Sequence, residues 1–254
     1  MRVIGYPMAG SPVRIASVQT PKTQGTAMIK ITHYCKTPQE HIGMQIVTLA
    51  AENFTEISLH GTPPSNPLYP VHQAALAFEI GTYLHAMGES AERPIGLYVA
   101  TDQHDPNLVI GFLKYLPLKD MPEACGITYM AVRQDQRKKG VARALMAELL
   151  ARHPHAELTC FVEKVPLYER LGFRVIGHRD TQVRMCTREK TAEGMMAVLD
   201  TSQLYTTPAM QMVMHAQVQK VGAKAMRDAE RQFSRQVDQR TRKAKEFAEA
   251  RLGG

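Results

Sequence analysis

The sequence lacks any apolar run that approaches the ~20 residues needed to cross a lipid bilayer. Residues 1–10 also lack the basic region and the long apolar core of a secretory signal. We therefore expect no membrane-spanning segment and no export, with the cytoplasm as the default location. The hydrophobic content of 44% and the charged content of 22% are typical of a soluble globular protein.

Cysteines are few, and their spacing argues against the common cysteine-based sites. They lie far apart in the chain and form no C-x-x-C pair: Cys35, Cys125, Cys160 and Cys186. Three of them fall in predicted strands, where reduced, buried thiols are expected rather than disulfides or a zinc site. His153 and His155 lie at a predicted helix end, where capping is expected rather than metal binding. We therefore expect no bound metal.

Positive charge is concentrated in the last segment of the chain. The net charge is +7, and residues 207–254 contain ten Lys or Arg against five Asp or Glu. Pro208 can begin a helix, and only Gly222 weakens helix formation before Gly253. A straight helix over residues 208–252 would be ~65 Å long, whereas a domain of ~190 residues is ~40 Å across. The helix must therefore bend back, protrude or pack on a partner.

The composition of this basic segment favours one kind of partner. Its apolar residues recur at spacings of three, four and seven: Val218, Val221, Ala225, Ala229, Phe233, Val237, Ala244 and Phe247. Acidic residues are interspersed, and no base-reading motif is present. A protein partner or a second copy, bound through residues 208–252, is therefore favoured over nucleic acid, which the Lys and Arg content leaves as the weaker alternative.

The body of the chain alternates between strand-like and helix-like patterns. Strands are predicted at residues 27–33, 95–100, 108–116, 125–132, 157–162, 173–178 and 182–186. Helices are predicted at residues 38–53, with Thr37 and Glu40 as a capping box, and at 71–87, 141–152 and 165–171. This order combines hairpins with a β-α-β crossover. It predicts an α+β domain over residues 27–190, with a mixed, mostly antiparallel sheet flanked by helices. An irregular arm (1–26), a connector (191–207) and a long C-terminal helix (208–254) complete the chain.

One stretch of the domain is suited to holding an anion. A β-rich run at residues 126–132 leads into Arg137-x-x-Gly140-x-Ala142, and a helix follows at once. The first N–H groups of a helix have no intrahelical partner, and Gly140 allows the backbone to approach a ligand closely. Cationic side chains surround this turn: Arg137, Lys138, Lys139 and Arg143. The pattern predicts a phosphate or pyrophosphate site, with an ordinary solvated helix start as the alternative.

Three features together resemble the GCN5-related N-acetyltransferase (GNAT) family. Strand residues Met130 to Val132 precede the Arg137-x-x-Gly140-x-Ala142 signature at the family's usual distance. Further on, Tyr168 stands four residues before Gly172-Phe173, as in the family's second signature. The resemblance covers residues 27–188, and it implies a GNAT-like fold that uses acetyl-coenzyme A.

The resemblance also implies roles for individual residues. Cosubstrate binding falls to Met130, Ala131 and Val132 of the strand and to Arg137, Lys138, Lys139, Gly140, Val141, Ala142 and Arg143 of the turn. A backbone N–H near Val132 would contact the thioester oxygen, and Tyr168 would protonate the leaving thiolate. Phe161 and Val162 occupy the region where many relatives carry an Asn, so one contact to the cosubstrate is expected to be missing.

The general base stays unassigned. The strand at residues 126–132 contains no carboxylate, and the nearest ones, Glu123 and Glu163, are expected to be solvated. Acceptor specificity is expected from residues 38–87, where His60, Tyr69 and His72 cannot be ranked. The implied function is transfer of an acetyl group to an amine of a small molecule or protein. The alternative is a GNAT-fold structural or interaction protein that acts through its long C-terminal helix.

Overall fold

The computed structural model describes residues 2–5 and 29–253, with side chains described from residue 29 onward. The strands are β1 Arg2–Gly5, β2 Lys30–Tyr34, β3 Gly96–Thr101, β4 Val109–Leu118, β5 Met121–Val132, β6 His155–Cys160, β7 Arg174–Arg179, β8 Gln182–Cys186 and β9 Met195–Val198. The helices are α1 Glu40–Glu52, α2 Phe54–Ile57, α3 Tyr69–His85, α4 Val141–Arg152, α5 Val165–Glu169, α6 Pro208–Val221 and α7 Ala223–Leu252.

The predicted fold class is confirmed. Seven strands form one sheet in the order β2-β3-β4-β5-β6-β8-β7, and β5–β6 is its parallel pair. Helix α4 makes the crossover between those two strands, as a parallel connection requires. Helices α1 and α3 pack on one face of the sheet, and α4 and part of α7 pack on the other.

The sheet opens at its centre. Strands β5 and β6 pair only from Ala124–His155 to Gly126–Glu157. On the other side of β5, the register with β4 shifts between Lys114 and Tyr115, which leaves Thr128 as an extra residue in a β-bulge. From residue 127 onward, β5 therefore pairs with β4 alone, and its edge towards β6 is open.

Several local predictions need correction. The predicted irregular arm contains β1, which pairs antiparallel with β9 inside the predicted connector; residues 6–28 lie outside the described part. The predicted capping box is wrong, because Gln39 precedes α1 and the Thr37 hydroxyl instead donates to the carbonyls of His85 and Met87. A short helix, α2, also lies between the two predicted helices of this region.

The C-terminal segment bends back on its own domain. The helix breaks at Gly222, which has a φ of 86°, so α6 packs on α3 and α7 runs over β7 and β8. The predicted apolar stripe is used internally: Phe233 packs against the rings of His60 and His72, and Ala244 is fully buried. A partner bound through residues 208–252 stays a prediction, and it would have to use the outward, charged face. In the described part of the chain, no helix combines the length and apolarity that a bilayer crossing requires.

We expect Ala244→Asp to detach α7 from the sheet. Ala244 is 0% exposed, so an unpaired carboxylate there would cost more than about 2 kcal/mol unless the helix moved away. Trypsin should then cleave rapidly between residues 223 and 252, where Lys and Arg are frequent. Ala250→Asp, on the exposed side of the same helix, is the matched control and should leave the digestion unchanged. Equal resistance of both variants would contradict the observed docking.

Candidate active site

A cleft of about 910 Å³ lies where β5 and β6 separate. The open edge of β5 forms one wall, β6 and α5 form the other, and the turn before α4 closes one end. Every residue predicted to bind the cosubstrate lines this cleft: Met130, Ala131, Val132, Arg137, Lys138, Lys139, Gly140, Val141, Ala142 and Arg143. Tyr168 lines it too. The structure thus brings together residues that are up to 38 positions apart in the sequence.

The turn before α4 has the geometry of an anion-binding backbone. Gly140 precedes the helix with a φ of 90°, and Lys138 has a φ of 62°, so two residues of the turn are left-handed. The hydrogen bond from the Ala144 N–H to the Gly140 carbonyl (2.9 Å) is the first of the helix. The N–H groups of Val141, Ala142 and Arg143 therefore have no intrahelical partner, and they carry the positive end of the helix dipole.

The charged side chains of the turn differ in their availability. Lys138 and Arg143 are exposed at the cleft. Arg137, which the sequence suggests as a cation for the ligand, is instead held by the protein. Its guanidinium donates to Glu56 at 2.9 Å and also to Asn53. The predicted positive charge of this turn is therefore partly neutralised by α2.

Glu56 joins the two sides of the cleft. Its carboxylate also accepts a hydrogen bond from Lys164 at 2.5 Å, so one carboxylate contacts both the turn after β5 and the turn after β6. Burial would raise the pKa of Glu56, but the hydrogen bonds from Lys164 and Arg137 lower it below its usual value. Glu56 is thus ionised at neutral pH and links α2 to the cleft.

Tyr168 lies in the wall formed by α5. Its ring is half-buried and packs edge-on against Phe173, with 6.0 Å between the ring centroids. Burial, with a smaller contribution from Cys160, raises the pKa of the Tyr168 hydroxyl well above its ordinary value. The hydroxyl therefore carries its proton at neutral pH, as a proton donor must.

A buried polar cluster lies beside the β-bulge of β5. Lys114 is 0% exposed, and its ammonium donates to the Thr128 hydroxyl at 2.9 Å. The same nitrogen lies 3.2 Å from the centroid of the Tyr83 ring. Next to it, the Tyr129 hydroxyl donates to Glu79 at 2.6 Å. Thr128 and Tyr129 also line the cleft, so the cluster reaches its inner wall.

Burial shifts the titration of this cluster. It lowers the pKa of Lys114 to about 7, although the nearby Glu79 opposes the shift. Burial raises the pKa of Glu79, against the hydrogen bond from Tyr129 and the charge of Lys114. Burial thus shifts the pKa values of Lys114 and Glu79 in the direction of neutral pH, which is typical of groups that exchange protons.

No sequence motif indicates this cluster, and the residues considered as general base or as determinants of acceptor specificity lie elsewhere. Glu123 is exposed and Glu163 pairs with Lys243 of α7, so neither lines the cleft. His60 and His72 hold Phe233, and Tyr69 packs edge-on against Phe54. A usable signal was present in β4, where Lys114 is the single charged residue in a strand of otherwise apolar side chains.

One group of side chains in the described part has spacing suited to a metal. His155, Glu157 and Cys186 offer ligand atoms within 4.8 Å of one another. These atoms already hold the following loop, however. His155 and Cys186 contact the Lys190 carbonyl at 3.0 Å and 3.4 Å, and Glu157 accepts hydrogen bonds from residues 191 and 192. The group therefore stabilises the loop.

Comparisons with known proteins identify the domain. The family model described as an acetyltransferase (GNAT) domain matches residues 93–175. No curated protein matches the sequence. Among solved structures, PaiA N-acetyltransferase from Thermoplasma acidophilum, in complex with coenzyme A, is 12% identical with a TM-score of 0.48, and the match covers 63% of this chain and 98% of that chain. A putative N-acetyltransferase from Lactobacillus plantarum is 17% identical with a TM-score of 0.44, over 64% of this chain and 99% of that chain.

The matched segment contains the strand, the turn and the tyrosine that line the cleft. Residues 93–175 match the acetyltransferase (GNAT) domain model, in agreement with the family that the sequence motifs predict.

Proposed function

We propose that the protein transfers an acetyl group from acetyl-coenzyme A to an amine. The observation that carries the proposal is the convergence on one cleft of three parts: the unpaired amides that begin α4, the open edge of β5 and the Tyr168 hydroxyl. Acyl transfer from a coenzyme A thioester needs a diphosphate site, a strand edge for the amide-bearing arm and a proton donor for the thiolate. The match of residues 93–175 to the acetyltransferase (GNAT) domain model supports the cosubstrate.

The residues present fit this cosubstrate. The N–H groups of Val141, Ala142 and Arg143 suit the diphosphate, with Lys138 and the Arg143 side chain adding positive charge. The β5 edge from residue 127 to 132 has free backbone groups towards β6, so an extended, amide-containing chain can pair with it as an added strand. An N–H near Val132 can then face the thioester oxygen and stabilise its negative charge.

Acetyl transfer requires two proton movements. The acceptor nitrogen forms a bond with the acetyl carbon while the carbon–sulfur bond breaks. A thiol has an ordinary pKa of ~8.5, and the Tyr168 hydroxyl donates its proton to the leaving sulfur. The acceptor amine has an ordinary pKa of ~10.4 and must lose a proton before it attacks.

Glu79 is the group we assign to accept the amine's proton. Tyr129 lines the cleft and donates to Glu79, so its oxygen can take a proton from the amine while its own proton passes to the carboxylate. Burial raises the pKa of Glu79 towards neutral pH, which suits a base that must also release the proton. Lys114 lies near this carboxylate, where its charge opposes the rise in the pKa of Glu79, and it holds the β-bulge through Thr128.

The alternative reading assigns the main role to the C-terminal segment as an interaction module. Its support is the length of that segment and the departures from the family motifs, but the apolar stripe of the segment packs on the domain itself through Ala229, Phe233 and Ala244. The acceptor stays open between small-molecule and protein amines.

Calorimetry with acetyl-coenzyme A tests the binding step, and release of free thiol over a panel of amines and peptides tests turnover. We expect saturable binding to the full chain, and thiol release that depends on the amine. No heat of binding with a folded protein would remove the proposal. Binding with no turnover on any acceptor would instead favour the alternative of a non-catalytic GNAT-fold protein.

We expect Gly140→Ala to weaken the binding of acetyl-coenzyme A by at least ~10-fold. A side chain at a φ of 90° costs ~1–2 kcal/mol, which the turn can relieve only by moving the amides away from the diphosphate. Gly222→Ala is the matched control: its φ is 86°, and no atom lies within 4 Å of an added Cβ. Its ψ is 149°, against −3° at Gly140, and this combination is even less accessible to a side chain, so the variant carries at least as much strain outside the cleft and calorimetry should give an unchanged affinity. Equal affinity in both variants would place the diphosphate elsewhere.

A further inference from the structure

A second cavity lies at the opposite end of α4. It has a volume of about 520 Å³ and shares no lining residue with the cleft. Helix α4 has 12 residues and is ~18 Å long; its first turn faces the cleft, and Arg152 and His153 at its end line the second cavity. The size is within the range of small-molecule sites, and the proposed acetyl transfer makes no use of it.

An exposed thiol with an imidazole beside it opens into this cavity. His33 and Cys35 are two residues apart at the end of β2, so their side chains lie on the same face. The Cys35 sulfur is 3.7 Å from both His33 ring nitrogens. His33 Nε2 is in turn 2.9 Å from the Tyr115 hydroxyl. Gly96 leaves the space that the Tyr115 ring occupies, because a Cβ at residue 96 would lie 2.1 Å from that ring.

One protonation pattern satisfies all of these contacts. With its proton on Nε2, His33 donates to the Tyr115 oxygen, and Nδ1 is free to accept from the Cys35 thiol. The Tyr115 ring also stacks on the Tyr98 ring, with 5.7 Å between the ring centroids. Burial, with Arg152 and His153 nearby, lowers the pKa of His33, so Nδ1 is unprotonated at neutral pH. The Cys35 thiol, the His33 imidazole and the Tyr115 hydroxyl thus form a connected group of nucleophile, base and orienting group.

The cavity also offers groups that bind a ligand. His153 is 5% exposed, and its Nδ1–H donates to the Pro122 carbonyl at 2.8 Å, so Nε2 is an acceptor. Among the described residues, this buried Nε2 has no hydrogen-bond partner. Arg152 is exposed and makes no ion pair with any described residue, although Asp120 also lines the cavity. A ligand with an N–H and a negative charge would complement both groups.

We propose that Cys35 is a thiol-exchange site for a small anionic disulfide, held by Arg152 and His153. The Cys35 thiol passes its proton to His33, and its sulfur attacks one sulfur of the disulfide. A new sulfur–sulfur bond joins Cys35 to half of the reagent, the original bond breaks, and the leaving thiolate takes the proton from His33. Cys35 is oxidised and the other half of the reagent is reduced, so the electrons balance.

The other three cysteines provide an internal comparison. All are buried, and burial raises their pKa values, to about 12 for Cys160 and about 11 for Cys186. Burial raises that of Cys125 further. Protonated, enclosed thiols do not attack disulfides, so exchange in the folded protein is expected at Cys35 alone.

The test compares two disulfides of opposite charge on the full chain. Oxidised glutathione is anionic and supplies peptide N–H groups; cystamine is cationic. Mass spectrometry should find a glutathione adduct on Cys35 only, and Cys35→Ser should abolish it. The ratio of the two exchange rates should fall about fivefold in Arg152→Gln, because the guanidinium attracts one reagent and repels the other. In His33→Asn both rates should fall about tenfold, with the ratio unchanged.

Tyr115→Phe keeps the ring and removes the hydroxyl that orients His33, so it should slow both reagents about threefold. It tests the same arrangement even when His33→Asn does not fold. Adducts on a buried cysteine, or a rate ratio that Arg152→Gln leaves unchanged, would overturn the proposal. Rates that neither His33→Asn nor Tyr115→Phe alters would overturn it as well. None of these readouts depends on acetyl transfer, so the outcome is independent of the proposed function.

Discussion

Replacing Lys114 with methionine should lower the free energy of unfolding by about 3 kcal/mol. The ammonium is completely enclosed, between the Thr128 hydroxyl at 2.9 Å and the Tyr83 ring at 3.2 Å. Methionine has a similar length but no polar head group, so the variant leaves the Glu79 carboxylate without the buried amine beside it. It also removes the hydrogen bond that holds the bulge residue of β5.

A double variant separates charge from packing. Glu79→Gln in the Lys114→Met background removes the unpaired carboxylate, so it should restore most of the lost stability. Lys119→Met, on the exposed end of the same hairpin, is the matched control and should change stability by less than about 0.5 kcal/mol. Urea unfolding monitored by circular dichroism measures all four proteins. A single Lys114→Met variant as stable as the wild type would mean that Lys114 and Glu79 do not depend on each other.

The stability difference between wild type and Lys114→Met should depend on pH. Burial lowers the pKa of Lys114 from 10.5 to about 7, so between these values the folded state binds fewer protons at this residue than the unfolded state. The contribution of Lys114 to the free energy of unfolding therefore increases as the pH rises from about 7 to 10.5, and this gain is lost as the pH falls back through about 7. The gap between wild type and Lys114→Met should widen from pH 7 towards pH 10. A gap that narrows would contradict the burial of this amine.

The parts of the site that are adjacent in the chain could be predicted from the sequence. The strand, the turn at Gly140 and the helix α4 follow one another, and each is specified by local chemistry: β-rich residues, a glycine with positive φ, and alanine and leucine. The predicted helix at residues 141–152 accordingly has the same bounds as α4. Tyr168 could be placed because its motif carries its own stop: α5 ends at Glu169, and Gly172, with a φ of 91°, lies in the turn that follows.

The parts that depend on distant contacts could not be predicted. Glu79 and Tyr129 meet across 50 residues, and nothing near either one indicates the other. The strand pair β1–β9 joins the two ends of the domain, so each strand on its own looked like irregular chain. Periodicity correctly indicated that the C-terminal segment buries an apolar stripe, but it could not tell whether the covering surface was a partner or the chain's own β7 and β8.

Tyr168→Phe should reduce the turnover number of acetyl transfer about 100-fold while leaving the affinity for acetyl-coenzyme A unchanged. The ring that packs on Phe173 is retained, so the fold and the cleft are preserved. The variant removes only the group that protonates the leaving sulfur, so water would have to protonate the thiolate instead. Since burial raises the pKa of this hydroxyl, the wild type should show no loss of activity from its ionisation between pH 7 and pH 9.

Tyr69→Phe is the matched control, because it also removes one tyrosine hydroxyl from the domain but at a residue outside the cleft lining. Its turnover should equal that of the wild type. Thiol release measures turnover, and calorimetry measures affinity on the same samples. Loss of affinity together with turnover would mean that Tyr168 shapes the cleft and does not donate a proton. Full activity in Tyr168→Phe would assign proton donation to another group, since an intact ring alone cannot protonate a thiolate.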